Sequence, residues 1–157
     1  MKKFAANYLI SEEGLWLKNG MVFLDENGAI VEMIDTRGEL REIAQLTFLN
    51  GILLGNFKYK LSNSSEIHTN RSEERSVIFH LISNKSEITI SDFIGYCARI
   101  SKEYPESIIP EVFAAVHSEI TESYGFSKQV LPGLYLLSGV DLKDLVFRNE
   151  FKLKRIV

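Results

Sequence analysis

Short apolar runs broken by turn residues dominate the first third of the chain, and each run has the length of a strand rather than a helix. Residues 4–10 predict a first strand, followed by a loop through Ser11-Glu12-Glu13-Gly14. Met21-Val22-Phe23-Leu24 and Ala29-Ile30-Val31-Glu32-Met33-Ile34 flank Asp25-Glu26-Asn27-Gly28, a turn whose glycine can take the positive φ that a hairpin return demands. Residues 40–45 suit a short helical or irregular turn. Leu46-Thr47-Phe48-Leu49 and Ile52-Leu53-Leu54 then read as strand-like runs around Asn50-Gly51. Together these segments predict a small antiparallel sheet.

The pattern changes after Phe57. Residues 58–76 are rich in Ser, Asn, Lys, Glu and Arg, which predicts a polar mobile loop. Val77-Ile78-Phe79-His80-Leu81-Ile82 is a short β-prone run, expected to be one buried strand. Two helices follow. Thr89 or Ser91 can cap the first, which carries Phe93, Ile94, Cys97 and Ile100 at helical spacing and ends at Tyr104-Pro105, because proline disfavours helix at the preceding residue. The second starts near Pro110, places Val112, Phe113, Val116 and Ile120 on one face, and is stopped by Gly125. Leu134-Tyr135-Leu136-Leu137 and residues 151–157 predict two further strands.

Composition narrows the function classes. A chain of 157 residues with 45% hydrophobic content can bury one core, and its length favours a single domain. Its net charge of −3 offers no basic field for a nucleic-acid backbone, so no nucleic-acid partner is expected. The single cysteine, Cys97, cannot form an internal disulfide or a multi-cysteine metal site. Met1-Lys2-Lys3 looks like a basic leader, yet Asn7, Ser11, Glu12 and Glu13 interrupt any apolar core behind it, and no run reaches the ~18 apolar residues of a membrane helix. A soluble, cytoplasmic protein without a membrane partner is the expectation.

The stretch Phe48-Leu49-Asn50-Gly51-Ile52-Leu53-Leu54-Gly55-Asn56-Phe57 resembles the point where members of the amidohydrolase superfamily pass from a small sandwich domain into a metal-binding barrel. The layout before it is similar too: a strand, a Lys18-Asn19-Gly20 turn, and a hairpin with Asp25-x-x-Gly28. Residues 88–157 resemble the tail of the same proteins, with a helix ending in Tyr104-Pro105, a second helix, and Lys128-Gln129-Val130-Leu131-Pro132-Gly133-Leu134-Tyr135-Leu136-Leu137. The family usually shows Asn-Gly-Ala and a lysine-rich approach to Pro-Gly. Here Ser118-Glu119-Ile120 and Phe126-Ser127-Lys128-Gln129 stand instead.

The resemblance implies an α+β fold with an antiparallel β-sandwich of the amidohydrolase composite-domain kind, built from residues 1–57 and 131–157. The loop 58–76 and a strand plus two helices over 77–130 are inserted. A closed α/β barrel needs ~200 residues or more, and the stretch from Asn56 to Leu131 is far too short to supply one. Family chemistry uses a metal held by several His ligands and an Asp at the end of the final barrel strand. The expected His-x-His is replaced by Lys58-Tyr59-Lys60-Leu61-Ser62, and if Ser83-Asn84 matches the family's Ser-Asn, Phe79 stands near the Asp position. A phenyl ring cannot ligate metal.

Each remaining chemical group has a plain structural reading. His68, His80 and His117 fall in a loop, a strand and a helix, with no spacing that puts two ligands on one face. Cys97 lies on an apolar stripe, where a buried thiol is the expectation. Glu111, Glu119 and Glu122 solvate the polar side of the second helix. Ser62-Asn63-Ser64-Ser65 offers hydroxyls without a nearby base, and Gly55 belongs to no phosphate-cradling pattern. No catalytic, cofactor-binding or metal residue is therefore assigned. Loss of the barrel would uncover apolar surface, with Trp16, Phe57, Tyr59 and Tyr135 the aromatic candidates, so a homodimer or another protein partner is expected. The reading is a non-catalytic amidohydrolase-like protein that associates through its sandwich. Its rivals are a metal-dependent hydrolase or deaminase with a site shared between chains, drawing on His68, His80 or His117, and a small-ligand module with residues 58–76 as a lid.

Overall fold

The computed structural model describes residues 1–62 and 78–157. Among these residues, eight strands and three α-helices give a mixed α+β fold with a large open sheet and no closed barrel. The chain divides into two compact units. The first comprises Met1–Asn56, Leu131–Asp144 and Arg148–Val157, and the second Phe57–Val130 with Leu145–Phe147.

In the first unit, β1 (Lys2–Ile10), β2 (Trp16–Lys18), β3 (Met21–Leu24) and β4 (Ile30–Ile34) are followed by the opening part of β5 (Leu46–Leu61). The chain returns to this unit in the later part of β7 (Phe126–Ser138) and in β8 (Lys152–Arg155). The hydrogen-bonded order is β4-β3-β1-β5-β7-β8, with β2 alongside β1. The β3–β4 hairpin closes as its sequence predicts: the Asp25 carboxylate accepts from the N–H groups of Asn27 at 2.8 Å and Ala29 at 3.0 Å, and Gly28 has φ +81°.

One pairing departs from the antiparallel expectation. β1 and β5 run parallel, from Lys3 opposite Leu46 to Ile10 opposite Leu54. A parallel partner needs a long crossover, and everything from β2 to residue 45 supplies it. The register shifts between Ala6 and Tyr8, where Asn50 and Gly51 of β5 face Asn7. At this bulge Gly51 has φ +148°, and its N–H donates to Asn7 Oδ1 at 2.7 Å. The Asn50-Gly51 pair is thus a kink inside one strand, not a gap between two.

β5 and β7 run antiparallel, because Gly51 lies beside Leu137 and the Asn56 amide donates to the Pro132 carbonyl at 3.1 Å. The core of the unit joins Ala6, Leu9, Leu17, Val22, Leu24, Leu53 and Leu134, with Ile30, Leu136 and Val157 packed against them. The Gly133 N–H donates to the Gly28 carbonyl at 2.8 Å, which brings the hairpin turn against the returning chain.

In the second unit β5 continues to Leu61, so residues 58–61 are strand and not the start of the expected loop. Alternation explains this: Tyr59 is buried while Lys60 is exposed, and β6 (Glu87–Thr89) pairs antiparallel alongside, with Lys58 Nζ 2.8 Å from the Glu87 carboxylate. That hydrogen bond holds the Glu87 carboxyl below its usual range. The rest of the expected loop, from Asn63 onward, and Val77 lie outside the described residues.

The strand expected over 77–82 is corrected as well. Phe79–Ile82 forms a short helix, α1, in which Ile78 and Ile82 are buried and His80 is exposed. Those two isoleucines are four residues apart, one helical turn, and their burial is what a six-residue apolar run cannot announce.

Helix α2 (Ile90–Glu103) begins at Thr89, whose hydroxyl accepts from Asp92 N while the Asp92 carboxylate accepts from Thr89 N, each at 3.1 Å. It ends before Tyr104-Pro105 and buries Ile90, Phe93, Ile94, Tyr96 and Cys97. Helix α3 (Ile109–Ser118) carries Pro110 in its first turn and buries Ile109, Val112, Phe113 and Val116. It then widens into a π-helical turn, Glu119–Ser123, before Gly125 turns the chain into β7 with φ +76°. The rings of Phe57, Tyr59, Phe93, Phe113 and Phe147 form a chain of contacts with centroids 5.3–6.5 Å apart.

Candidate functional site

The groups singled out in the sequence do not converge on one place. His80 is exposed on α1, and His68 lies outside the described residues, as do Asn63, Ser64 and Ser65. Phe79 belongs to α1 and not to a strand end. Cys97 is fully buried, and that burial pushes its thiol well above the ordinary value. Glu111 accepts from the Ile108 N–H at 3.3 Å, which makes it a helix-start group. Glu119 and Glu122 sit in the π-helical turn. The Ser62 N–H donates to the Gly125 carbonyl. A Cβ at Gly55 would meet Ile30 Cδ1 at 2.9 Å, so this glycine permits close packing. Among the described residues, no group of three or more His, Cys, Asp or Glu side chains is placed to hold a metal ion.

The most defined polar arrangement is one that no local motif signals. The Tyr59 hydroxyl on β5 lies 2.8 Å from Nδ1 of His117 at the end of α3. Tyr59 is 1% exposed, whereas His117 is exposed. Burial raises the Tyr59 pKa far above the tyrosine value, and the neighbouring Cys97 adds to this. Burial lowers the His117 pKa, Lys128 lowers it further, and Glu122 opposes the change. The tyrosine therefore keeps its proton, and with the imidazole neutral its hydroxyl can donate to Nδ1 when the ring carries its own proton on Nε2. Lys128 Nζ rests 4.5 Å from the centre of the Phe57 ring. The Tyr59–His117 pair thus joins a buried strand hydroxyl to an exposed helix histidine.

Comparison with protein-family models, with curated proteins and with solved structures finds no match. In the first unit Leu15 is 60% exposed, Val31 54%, Leu40 64% and Phe48 43%. Among the described residues, β4 and β8 end the strand order, each with one neighbour. β8 carries Lys152, Lys154 and Arg155, charges that discourage edge-to-edge pairing with a second β8. The aromatic candidates have structural places: Trp16 stacks edge-on against Tyr8, Phe57 and Tyr59 belong to the ring cluster, and Tyr135 lies under Arg155. No helix among the described residues is long and apolar enough to cross a membrane.

Proposed function

We propose that this chain is a non-catalytic, amidohydrolase-like protein that acts by associating with another protein, most simply a second copy of itself in the cytoplasm. The observation that carries the reading is the set of large apolar side chains, Leu15, Val31, Leu40 and Phe48, held at solvent by the first unit. A two-fold partner would cover such groups on both chains at once. In this reading the first unit is a two-layer sandwich of the composite-domain kind, joined from both chain ends. The Gly133–Gly28 hydrogen bond and the packing of Val157 with the β1, β3 and β5 core support that view.

The non-catalytic half is tested by metal analysis. Protein purified, supplied with zinc or iron, and dialysed is expected to retain well under one ion per chain. Retention near one ion per chain, with turnover of amide or amidine substrates, would contradict the proposal.

A further inference from the structure

We infer that the Tyr59–His117 hydrogen bond is an acid-sensitive latch that holds α3 against β5 in the second unit. A buried hydroxyl must find its acceptor inside the protein, and for Tyr59 that acceptor is Nδ1 of His117, 2.8 Å away. Only an imidazole unprotonated at Nδ1 has a lone pair to offer there. A proton on Nδ1 makes this atom a donor. The Tyr59 oxygen can accept a hydrogen bond from it, but the tyrosine's own hydrogen then loses Nδ1 as its acceptor inside a largely apolar surround. The cost falls on the contact that ties the last turn of α3 to the strand.

Four groups bear on the pair. Tyr59 comes from β5, Lys128 from β7, Glu122 from the π-helical turn, and Cys97 from α2 behind the tyrosine. Burial is the largest influence on the imidazole, Lys128 acts in the same direction, and the Glu122 carboxylate partly offsets both. Because His117 is depressed in the folded protein, the stabilisation is complete above the unfolded histidine value of about 6.5 and is lost as the pH falls below it.

The test compares thermal midpoints of the wild type and His117→Gln at about pH 7.5 and about pH 5.5, on either side of the histidine range. Glutamine can accept from Tyr59 and does not titrate. The wild-type midpoint is expected to fall by at least about 2 °C more than that of the variant. Parallel falls would overturn the latch. The unmodified protein gives a second reading that does not depend on the variant folding. In an NMR titration, His117 is expected to take up its proton below the ordinary histidine range, and Tyr59 ring signals to move with the same midpoint. α3 amide protection, corrected for intrinsic exchange, should drop with them. Tyr59 signals that stay still through the His117 titration would refute the proposal.

Discussion

Gly51→Ala is expected to destabilise the protein by about 3 kcal/mol or more, as the sum of backbone strain and forced displacement of neighbours. The backbone at Gly51 has φ +148°, a conformation that L side chains rarely adopt. A methyl group there would also lie 2.6 Å from the Leu137 carbonyl oxygen and 3.0 Å from Leu136 Cδ1. The carbonyl is part of β7 and cannot swing aside without disturbing the β5–β7 ladder. The same residue donates its N–H to Asn7, so any shift of the bulge also weakens the β1–β5 register. For a chain of this size, the loss corresponds to a fall of about 6–12 °C in thermal midpoint. A midpoint within about 1 °C of wild type would show that the bulge tolerates a side chain.

The second large effect is expected at Phe93, where truncation to alanine should cost about 3–5 kcal/mol. Phe93 is 3% exposed and its ring meets Phe57 at 5.4 Å, Phe113 at 5.3 Å and Tyr59 at 5.7 Å between centroids. Its removal leaves a cavity bounded by a strand and two helices of the second unit, and rigid aromatic neighbours fill such a gap poorly. Chemical denaturation followed by fluorescence measures the loss. As a control, Leu40→Ser, at a side chain 64% exposed, is expected to change stability by no more than about 0.5 kcal/mol. Equal costs at the two positions would contradict the assignment of the aromatic cluster as core.

These sites also mark what the sequence makes legible. The β3–β4 hairpin could be read because Asp25 and Gly28 carry the turn within four adjacent residues. The ends of α2 could be read because Thr89 and Pro105 act on their immediate neighbours, and Pro110 marks the start of α3 in the same way. The errors have a common physical origin in distance and in short windows. Whether the run at Phe79–Ile82 coils or extends is decided by the burial of Ile78 and Ile82, which no six-residue stretch specifies. Residues 58–61 look polar by composition, yet their alternation and the arrival of β6 make them strand. The parallel partnership of β1 and β5 is set by the crossover, not by either strand.

The candidate polar pair was less legible still. Tyr59 and His117 are 58 positions apart and belong to different kinds of element, so their hydrogen bond exists only once α3 has packed on β5. The one signal available was the inward alternation of Phe57 and Tyr59 along β5, which marks Tyr59 as a buried hydroxyl in need of an acceptor. For the surface the position is reversed. An exposed partner face is expected from the resemblance, through Trp16, Phe57, Tyr59 and Tyr135, whereas Phe57 and Tyr59 are buried and Leu15, Val31, Leu40 and Phe48 are among the apolar groups at solvent.

Association is best tested by multi-angle light scattering of the purified protein over a wide concentration range, alone and as the Leu15→Ser, Phe48→Ser double variant. The wild type is expected at twice the mass of one chain, and the variant, still folded, at the mass of one. A wild type that stays at the mass of a single chain at every concentration, and that brings no partner from its native cell, would contradict the proposed role.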